Sequence, residues 1–288
     1  MKNFINKKWQ YYLLGGMFIL LIAGIAMFFS GSGSQNGSGE GELRTIGELS
    51  KKATGVNIDR SKFLVAGVDP AYPPLTFISS DGSRVGFDIE LVNEVGQILG
   101  KNVKYVSIEW SKKDDYLNSG EVDIVTGMTI TKERKKKYAV SKPYFQSSNV
   151  ALVAARSVVF SANDLQGLVV GVQKDSSAAS FMSKFNTADG STVKDVVEFD
   201  DVSEGLVAIL TGDIDAFVEE DTILRYYNSH SPGKFRVVEG IDVAKAGIAL
   251  VAKKGNTKLA GEISTAIDKL SANGTLKVIH DKWFGSRN

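Results

Sequence analysis

The 288-residue chain has no cysteine, two histidines, five prolines and almost no net charge, since 34 Lys and Arg against 33 Asp and Glu leave +1. Each shortage excludes something. Without cysteine there is no disulfide framework, thiolate nucleophile, iron–sulfur cluster or lipid-modified N-terminal cysteine. His230 and His280 stand far apart and have no Ser–acid arrangement nearby, so neither a metal site nor hydrolytic catalysis is expected. Balanced charge supplies no field to draw the chain onto nucleic acid, and no nucleic-acid motif is present. The remainder, 43% hydrophobic and 23% charged, fits one large or two medium globular domains rather than a disordered chain.

What is there is unevenly distributed. Lys2, Lys7 and Lys8 precede an uncharged run of nineteen residues from Tyr11 to Phe29, YYLLGGMFILLIAGIAMFF. At about 1.5 Å per residue a helix of that length reaches about 28 Å, enough to cross a hydrocarbon core. No charge follows until Glu40, so the positive-inside bias puts the N-terminus in the cytoplasm and the rest outside. A secretory signal is the competing reading, because Ser30-Gly31-Ser32 offers a peptidase small residues. The run exceeds the usual apolar core of a signal peptide, which favours a retained anchor over residues 1–30. Residues 31–61 are expected to form a tether: SGSGSQNGSGEGE, ending at Glu42, is a flexible linker. Thr45-Ile-Gly-Glu48 then has the spacing of a capping box for a short helix over 46–53.

From Lys62 onward apolar runs and helical stripes alternate. Phe63–Val68 reads as a buried strand ending at Asp69-Pro70, and the prolines at 73 and 74 fix a rigid loop after Tyr72. A helix follows Gly86, with Ile89, Val92, Val95 and Leu99 on one stripe and Gly100 as its stop. Strand is predicted over 103–108 and 122–126, and helix over 112–119 and 131–138. The alternation restarts with a strand over 169–172, helices over 177–185 and 202–211 and a strand over 216–218. A strand over 247–252 and two C-terminal helices, the first over 259–270 and the second reaching Trp283, complete the chain. This predicts an α/β protein of two units, each a mainly parallel sheet with helices on both faces.

Eight ordered blocks carry a more specific signal: Gly67-Val-Asp-Pro-Ala-Tyr-Pro-Pro74, Gly86-Phe-Asp-Ile-Glu-Leu91, Gly120-Glu-Val-Asp-Ile124, Gly127-Met-Thr-Ile-Thr-Lys-Glu-Arg134, Ser141-Lys-Pro-Tyr144, Gly171-Val-Gln-Lys-Asp-Ser-Ser-Ala178, Gly212-Asp-Ile-Asp-Ala216, and Asn273-Gly-Thr with Lys282-Trp-Phe-Gly285. Over Lys62–Gly285 the chain resembles the extracellular solute-binding proteins of polar amino-acid ABC importers, the bacterial family 3 with the two-lobed type II periplasmic-binding-protein fold. The resemblance implies a discontinuous first lobe, 62–153 and 245–288, and a second lobe, 154–244, preceded here by an N-terminal transmembrane helix. It also implies a free amino acid as ligand, permease subunits of an ABC importer as partners, a monomer held at the cell membrane with its binding domain outside, and no cofactor or metal.

Residue by residue, the resemblance places Gly127, Met128 and Thr129 beside the ligand, with backbone groups and a hydroxyl to offer. It assigns Arg134 to the ligand α-carboxylate through a two-pronged guanidinium contact. Without it, Arg134 is one of five cations in the solvated run Lys132–Lys137. Ser176 and Ser177 begin a helix whose free amides favour the same carboxylate, and the plain alternative for Ser176 is an N-cap. Gln173 points an amide toward the ligand, while Asp175 replaces the family's usual glycine. Glu220 falls where relatives carry an aspartate for the ligand ammonium, and Glu219 and Asp221 flank it. Asp221 is assigned to capping the following helix. Tyr72 and Trp110 wall the slot for an extended or cationic side chain unless they belong to the core. Asp69 with Glu219 makes the specificity end acidic, which favours arginine, lysine or ornithine, with glutamine next. A cyclohexadienyl-dehydratase-like enzyme on the same fold is the alternative, for which Glu219 or Glu220 would need a raised pKa. A sensor is not expected, because few residues precede the anchor.

Overall fold

In the computed structural model, residues 58–187, 190–242 and 244–285 are described. The expected membrane span over 11–29, the linker and the helix over 46–53 lie outside them. Among the described residues no helix is long and apolar enough to cross a membrane.

The chain builds β1 (Phe63–Val68), a small antiparallel ribbon of β2 (Ala71–Tyr72), β3 (Thr76–Ile78) and β4 (Arg84–Val85), then α1 (Phe87–Ile98), β5 (Asn102–Ser107), α2 (Lys113–Ser119), β6 (Ile124–Thr129), α3 (Lys132–Lys137), β7 (Tyr138–Val140) and β8 (Phe145–Ser147). It continues through β9 (Asn149–Ala154), β10 (Val169–Gln173), α4 (Ser177–Met182), β11 (Asp195–Phe199), α5 (Val202–Thr211), β12 (Ala216–Glu220), α6 (Asp221–Ser229) and β13 (Phe235–Val238). β14 (Ala246–Lys253), α7 (Thr257–Ala272) and α8 (Thr275–Phe284) close it.

Two main sheets result. The first runs β5-β1-β6-β14-β7, with β8 also on β14, and the second runs β11-β10-β12-β9-β13. In each, three parallel strands form one half, β5, β1 and β6 or β11, β10 and β12, as the strand–helix alternation predicts. The other half is antiparallel, because the chain enters each sheet from its neighbour and the entering strand, β9 or β14, runs back against β12 or β6. The sheets are therefore mixed rather than mainly parallel.

The chain changes sheet between β8 and β9, and again between β13 and β14. The first change falls earlier than the boundary expected at 153. Asn149–Ala154 is a buried apolar run that pairs with β12 on one side and β13 on the other, so it belongs to the second sheet. Helices pack the sheets through apolar stripes: Phe87, Leu91, Val92 and Val95 of α1 are buried beside Ile263, Ile267 and Leu270 of α7, so of the expected stripe Val92 and Val95 join this core, Leu99 packs at its edge and Ile89 is buried outside it. On the second sheet α5 comes so close to β12 that a Cβ on Gly205 would lie 2.1 Å from the Phe217 ring.

Candidate ligand-binding cleft

The carboxyl ends of β1, β5 and β6 face those of β10 and β12, the place where open α/β sheets hold ligands. The loops that leave these strands meet across a cleft. Tyr72 Oη donates to Glu219 Oε1 at 3.1 Å, Gln173 Nε2 to Asp69 Oδ2 at 2.9 Å, and the Thr129 and Ser177 hydroxyls are 3.2 Å apart. The Asp175 carbonyl accepts from Trp110 Nε1 at 3.2 Å and from Arg134 Nη2 at 3.0 Å. All the residues expected at the ligand line this cleft except Met128, and Thr76, Asp88 and Thr126 join them. Met128 packs instead with Val65, Ile108 and Leu117, because alternation along β6 turns it away from Thr129.

Arg134 separates from its basic neighbours by direction. Thr131 caps α3 by accepting from the Arg134 amide at 3.1 Å, and the guanidinium turns inward, donating from Nη1 to the Thr129 carbonyl at 3.1 Å. Lys132, Lys135, Lys136 and Lys137 are exposed. Among the described residues, Arg134 forms hydrogen bonds to carbonyls and no ion pair, so its charge is oriented but not neutralised. Burial weakens its hold on its proton and the nearby Glu220 strengthens it. The Trp110 ring lies 5.9 Å from the guanidinium carbon, within cation–π range.

In the second-sheet loop Asp175, at the place where the resemblance implies a glycine, takes a glycine-like backbone conformation. Asp175 has φ +56°, the left-handed region that glycine enters freely and Asp tolerates better than most residues. Ser176 takes its plain role as N-cap, accepting from the Ala179 amide at 3.0 Å, while Ser177 turns its hydroxyl to Thr129. α4 stops at Met182, short of the expected 185. The Gln173 amide is committed to Asp69 and, at 3.4 Å, to the Asp200 carbonyl.

The acids are the site's most unusual feature. Glu219 and Glu220 end β12 and are both buried. Glu219 Oε1 accepts from Tyr72 and from the Glu220 amide at 3.0 Å, and Glu220 Oε1 accepts from Thr129 Oγ1; among the described residues the second oxygen of each has no partner. Burial pushes Glu219 up to about 7, and burial together with the Glu219 charge pushes Glu220 up to about 8. Asp69 is raised as well, chiefly by burial, with the Ala71 amide and Gln173 opposing. Asp221 does not reach the cleft and makes no cap; it accepts from Ser147 Oγ at 2.8 Å and lies 3.8 Å from Arg225, while Glu220 takes the N-cap position of α6.

Sequence reasoning missed Asp88. It lies in the first turn of α1; among the described residues neither carboxyl oxygen has a partner at hydrogen-bond geometry, and burial raises it to about 7, with the nearby Tyr144 and Thr126 hydroxyls pulling the other way. Its presence inside the Gly86-Phe-Asp block was the available signal.

A pair of mixed sheets closing on a slot with one inward guanidinium and several buried carboxyls defines a two-lobed solute-binding protein. The chain belongs to the bacterial extracellular solute-binding proteins, family 3, whose sequence profile matches residues 64–286. The family places such a domain outside the cytoplasmic membrane. The L-cystine-binding protein TcyJ of Escherichia coli is 28% identical over 95% of both chains. Among solved structures, the arginine-, lysine-, histidine-binding protein ArtJ of Geobacillus stearothermophilus is 29% identical with a TM-score of 0.72, over 79% of this chain and 97% of that one. An ancestral amino-acid-binding protein, AncCDT-1, a precursor of cyclohexadienyl dehydratase, is 27% identical with a TM-score of 0.70, over 83% of this chain and 98% of that one. The curated relatives of this kind are binding proteins for amino acids in ABC transport.

Proposed function

We propose that the chain is the substrate-binding component of an ABC importer and captures a basic amino acid (arginine, lysine or ornithine, with glutamine next) between its two lobes. The observation that carries this reading is the charge pattern of the cleft. A basic amino acid brings one carboxylate and two cations. Arg134, held by two carbonyls and without an ion pair among the described residues, suits the carboxylate. Glu220 takes the α-ammonium, and Glu219 with Asp69 takes the side-chain cation, so the unpartnered oxygens gain donors that repay their burial. Tyr72 and Trp110 flank the aliphatic stem. The lobes close as a hinge whose two crossings are β8–β9 and β13–β14. In this reading the monomeric domain hands its ligand to permease subunits while the span over 11–29 holds it at the membrane.

Thermal melting of the full-length chain with each common amino acid tests the assignment, because a ligand of the folded state raises the melting temperature by mass action. The largest shift is expected with a basic amino acid. No shift with any basic or amide amino acid would refute it. A dehydratase is the second reading, favoured by the two carboxyls held near neutral pKa and by the likeness to AncCDT-1. It requires turnover of a cyclohexadienyl substrate by the purified chain; the transport reading expects binding without product.

A further inference from the structure

The cleft holds more acid than the ligand can neutralise. Around Glu219 and Glu220 the ionisable groups are Asp69 and Tyr72 from the loop and ribbon after β1, Asp88 at the start of α1, Arg134 on α3 and Tyr144 before β8; Asp221, next in sequence, is engaged with Ser147 and Arg225. Lys113 packs its ammonium against the Trp110 ring, 3.9 Å from Asp175, and does not line the slot. Arg134 is the cation lining the slot, and a basic amino acid adds a net charge of one. Four carboxyls cannot all be ionised in that space.

The geometry of the pair suggests how the excess is handled. The two side chains leave consecutive residues at the end of β12, and Glu219 Oε1 folds back onto the Glu220 amide. Each carboxyl keeps one oxygen bound to the opposite lobe, through Tyr72 or Thr129, and one oxygen unpartnered. An unpartnered oxygen carries a proton comfortably, and it is also where a ligand cation would dock. We infer that Glu219 and Glu220 act as one specificity-determining pair that exchanges a proton for the ligand's side-chain cation: a basic amino acid binds with both carboxylates ionised, and an amide amino acid binds with one of them protonated.

On entry of arginine the pair's proton leaves to solvent and the guanidinium takes its place. On entry of glutamine the proton stays and donates to the side-chain carbonyl. The Glu219–Glu220 doublet is thus the means by which one slot serves two charge classes. The burial that lifts both groups to about 7 and about 8 puts the exchange within the neutral range. This inference rests on the amino-acid-binding reading above.

Isothermal titration of the full-length chain with arginine and with glutamine, in two buffers of different ionisation enthalpy at pH 7, counts the protons released. About one proton more is expected with arginine than with glutamine. The arginine-to-glutamine affinity ratio should accordingly rise about tenfold per pH unit from pH 6 to pH 8, because the two bound states differ by one proton. Glu219→Gln should abolish both the proton difference and the pH slope and shift the arginine-to-glutamine preference at least about tenfold toward glutamine. Equal proton counts for the two ligands, or a pH slope that survives in Glu219→Gln, would overturn the inference and leave the binding reading intact. Absence of binding by any amino acid would instead overturn both.

Discussion

The first lobe reaches the cleft through the ends of β1, β5 and β6 and the second through the ends of β10 and β12, so the same strand–loop design serves both, yet the groups it delivers differ in kind. Among the described residues the first lobe supplies the slot's one guanidinium, Arg134, already aimed by the Thr129 and Asp175 carbonyls, with the rings of Tyr72 and Trp110 and the carboxyls of Asp69 and Asp88. The second supplies the carboxyls of Glu219 and Glu220, each with an unpartnered oxygen. Among the described residues six buried side-chain polar atoms lack a hydrogen bond, and four of them belong to Asp88, Glu219 and Glu220. Elsewhere the interior satisfies nearly all its polar groups, as folded proteins do. The contrast locates the place where stability is given up for a ligand, and it predicts that the lobes respond differently when perturbed.

Removing the first lobe's cation should do the most damage. Arg134→Ala leaves the ligand carboxylate unpaired in a closed slot, a loss of about 2–5 kcal/mol, or about 30-fold to more than a thousandfold in Kd. The ligand-induced rise in melting temperature should vanish. A variant that still shows the full rise would mean that the guanidinium merely ties α3 to Asp175.

The buried acids of the cleft, Glu219 and Glu220 from the second lobe and Asp88 from the first, should make the ligand-free protein unusually sensitive to alkali. Glu219, Glu220 and Asp88 are raised in the folded state, to about 7, about 8 and about 7, above their ordinary values of 4.5, 4.5 and 3.8. Between those limits the folded chain binds more protons than the unfolded one, so stability falls as pH rises. Scanning calorimetry without ligand should show the melting temperature dropping by at least about 5 °C from pH 5 to pH 8. A basic ligand should remove most of the drop. A melting temperature that rose over this range would show that the three carboxyls are ionised and paired.

Packing in the second lobe gives a perturbation of comparable size that spares the chemistry. Gly205→Ala drives a methyl into the Phe217 ring, which must move with β12. We expect a loss of about 2–3 kcal/mol, or about 5–10 °C in melting temperature. Unchanged stability would mean that α5 can slide. Tyr72→Phe is milder: it removes the donor to Glu219 while keeping the ring, and should weaken basic ligands about tenfold, within the cost of a hydrogen bond to a charged group. Titration calorimetry would read it directly.

Much of this arrangement was legible in the sequence. α5 occupies the predicted 202–211, because an apolar stripe between Asp201 and Gly212 marks both ends. β9 was not legible: Asn149–Ala154 follows β8 after a single residue, with no Gly or Pro to mark the change of sheet. Period alone also cannot say whether a buried strand pairs parallel or antiparallel, hence the mixed sheets. In the site, Tyr72 came from an ordered block, while Trp110 and Glu220 were placed by their positions just after predicted strands. Asp88 escaped because an acid in a helix's first turn has an ordinary explanation in the helix dipole, and only the closed cleft reveals that its carboxyl has no partner.

The smallest expected effect tests the sharpest distinction between neighbours. Lys136 belongs to the same six-residue helix as Arg134 and carries the same charge, but it is exposed whereas Arg134 turns under the loop. A surface cation at that distance is screened by water and salt, so it adds little to the field at the ligand carboxylate. Lys136→Ala should therefore change ligand affinity less than about twofold in physiological salt. Equal losses in Lys136→Ala and Arg134→Ala would show that α3 attracts the ligand as a diffuse basic patch, and the hydrogen bonds to Thr129 and Asp175 would then orient nothing that binding requires.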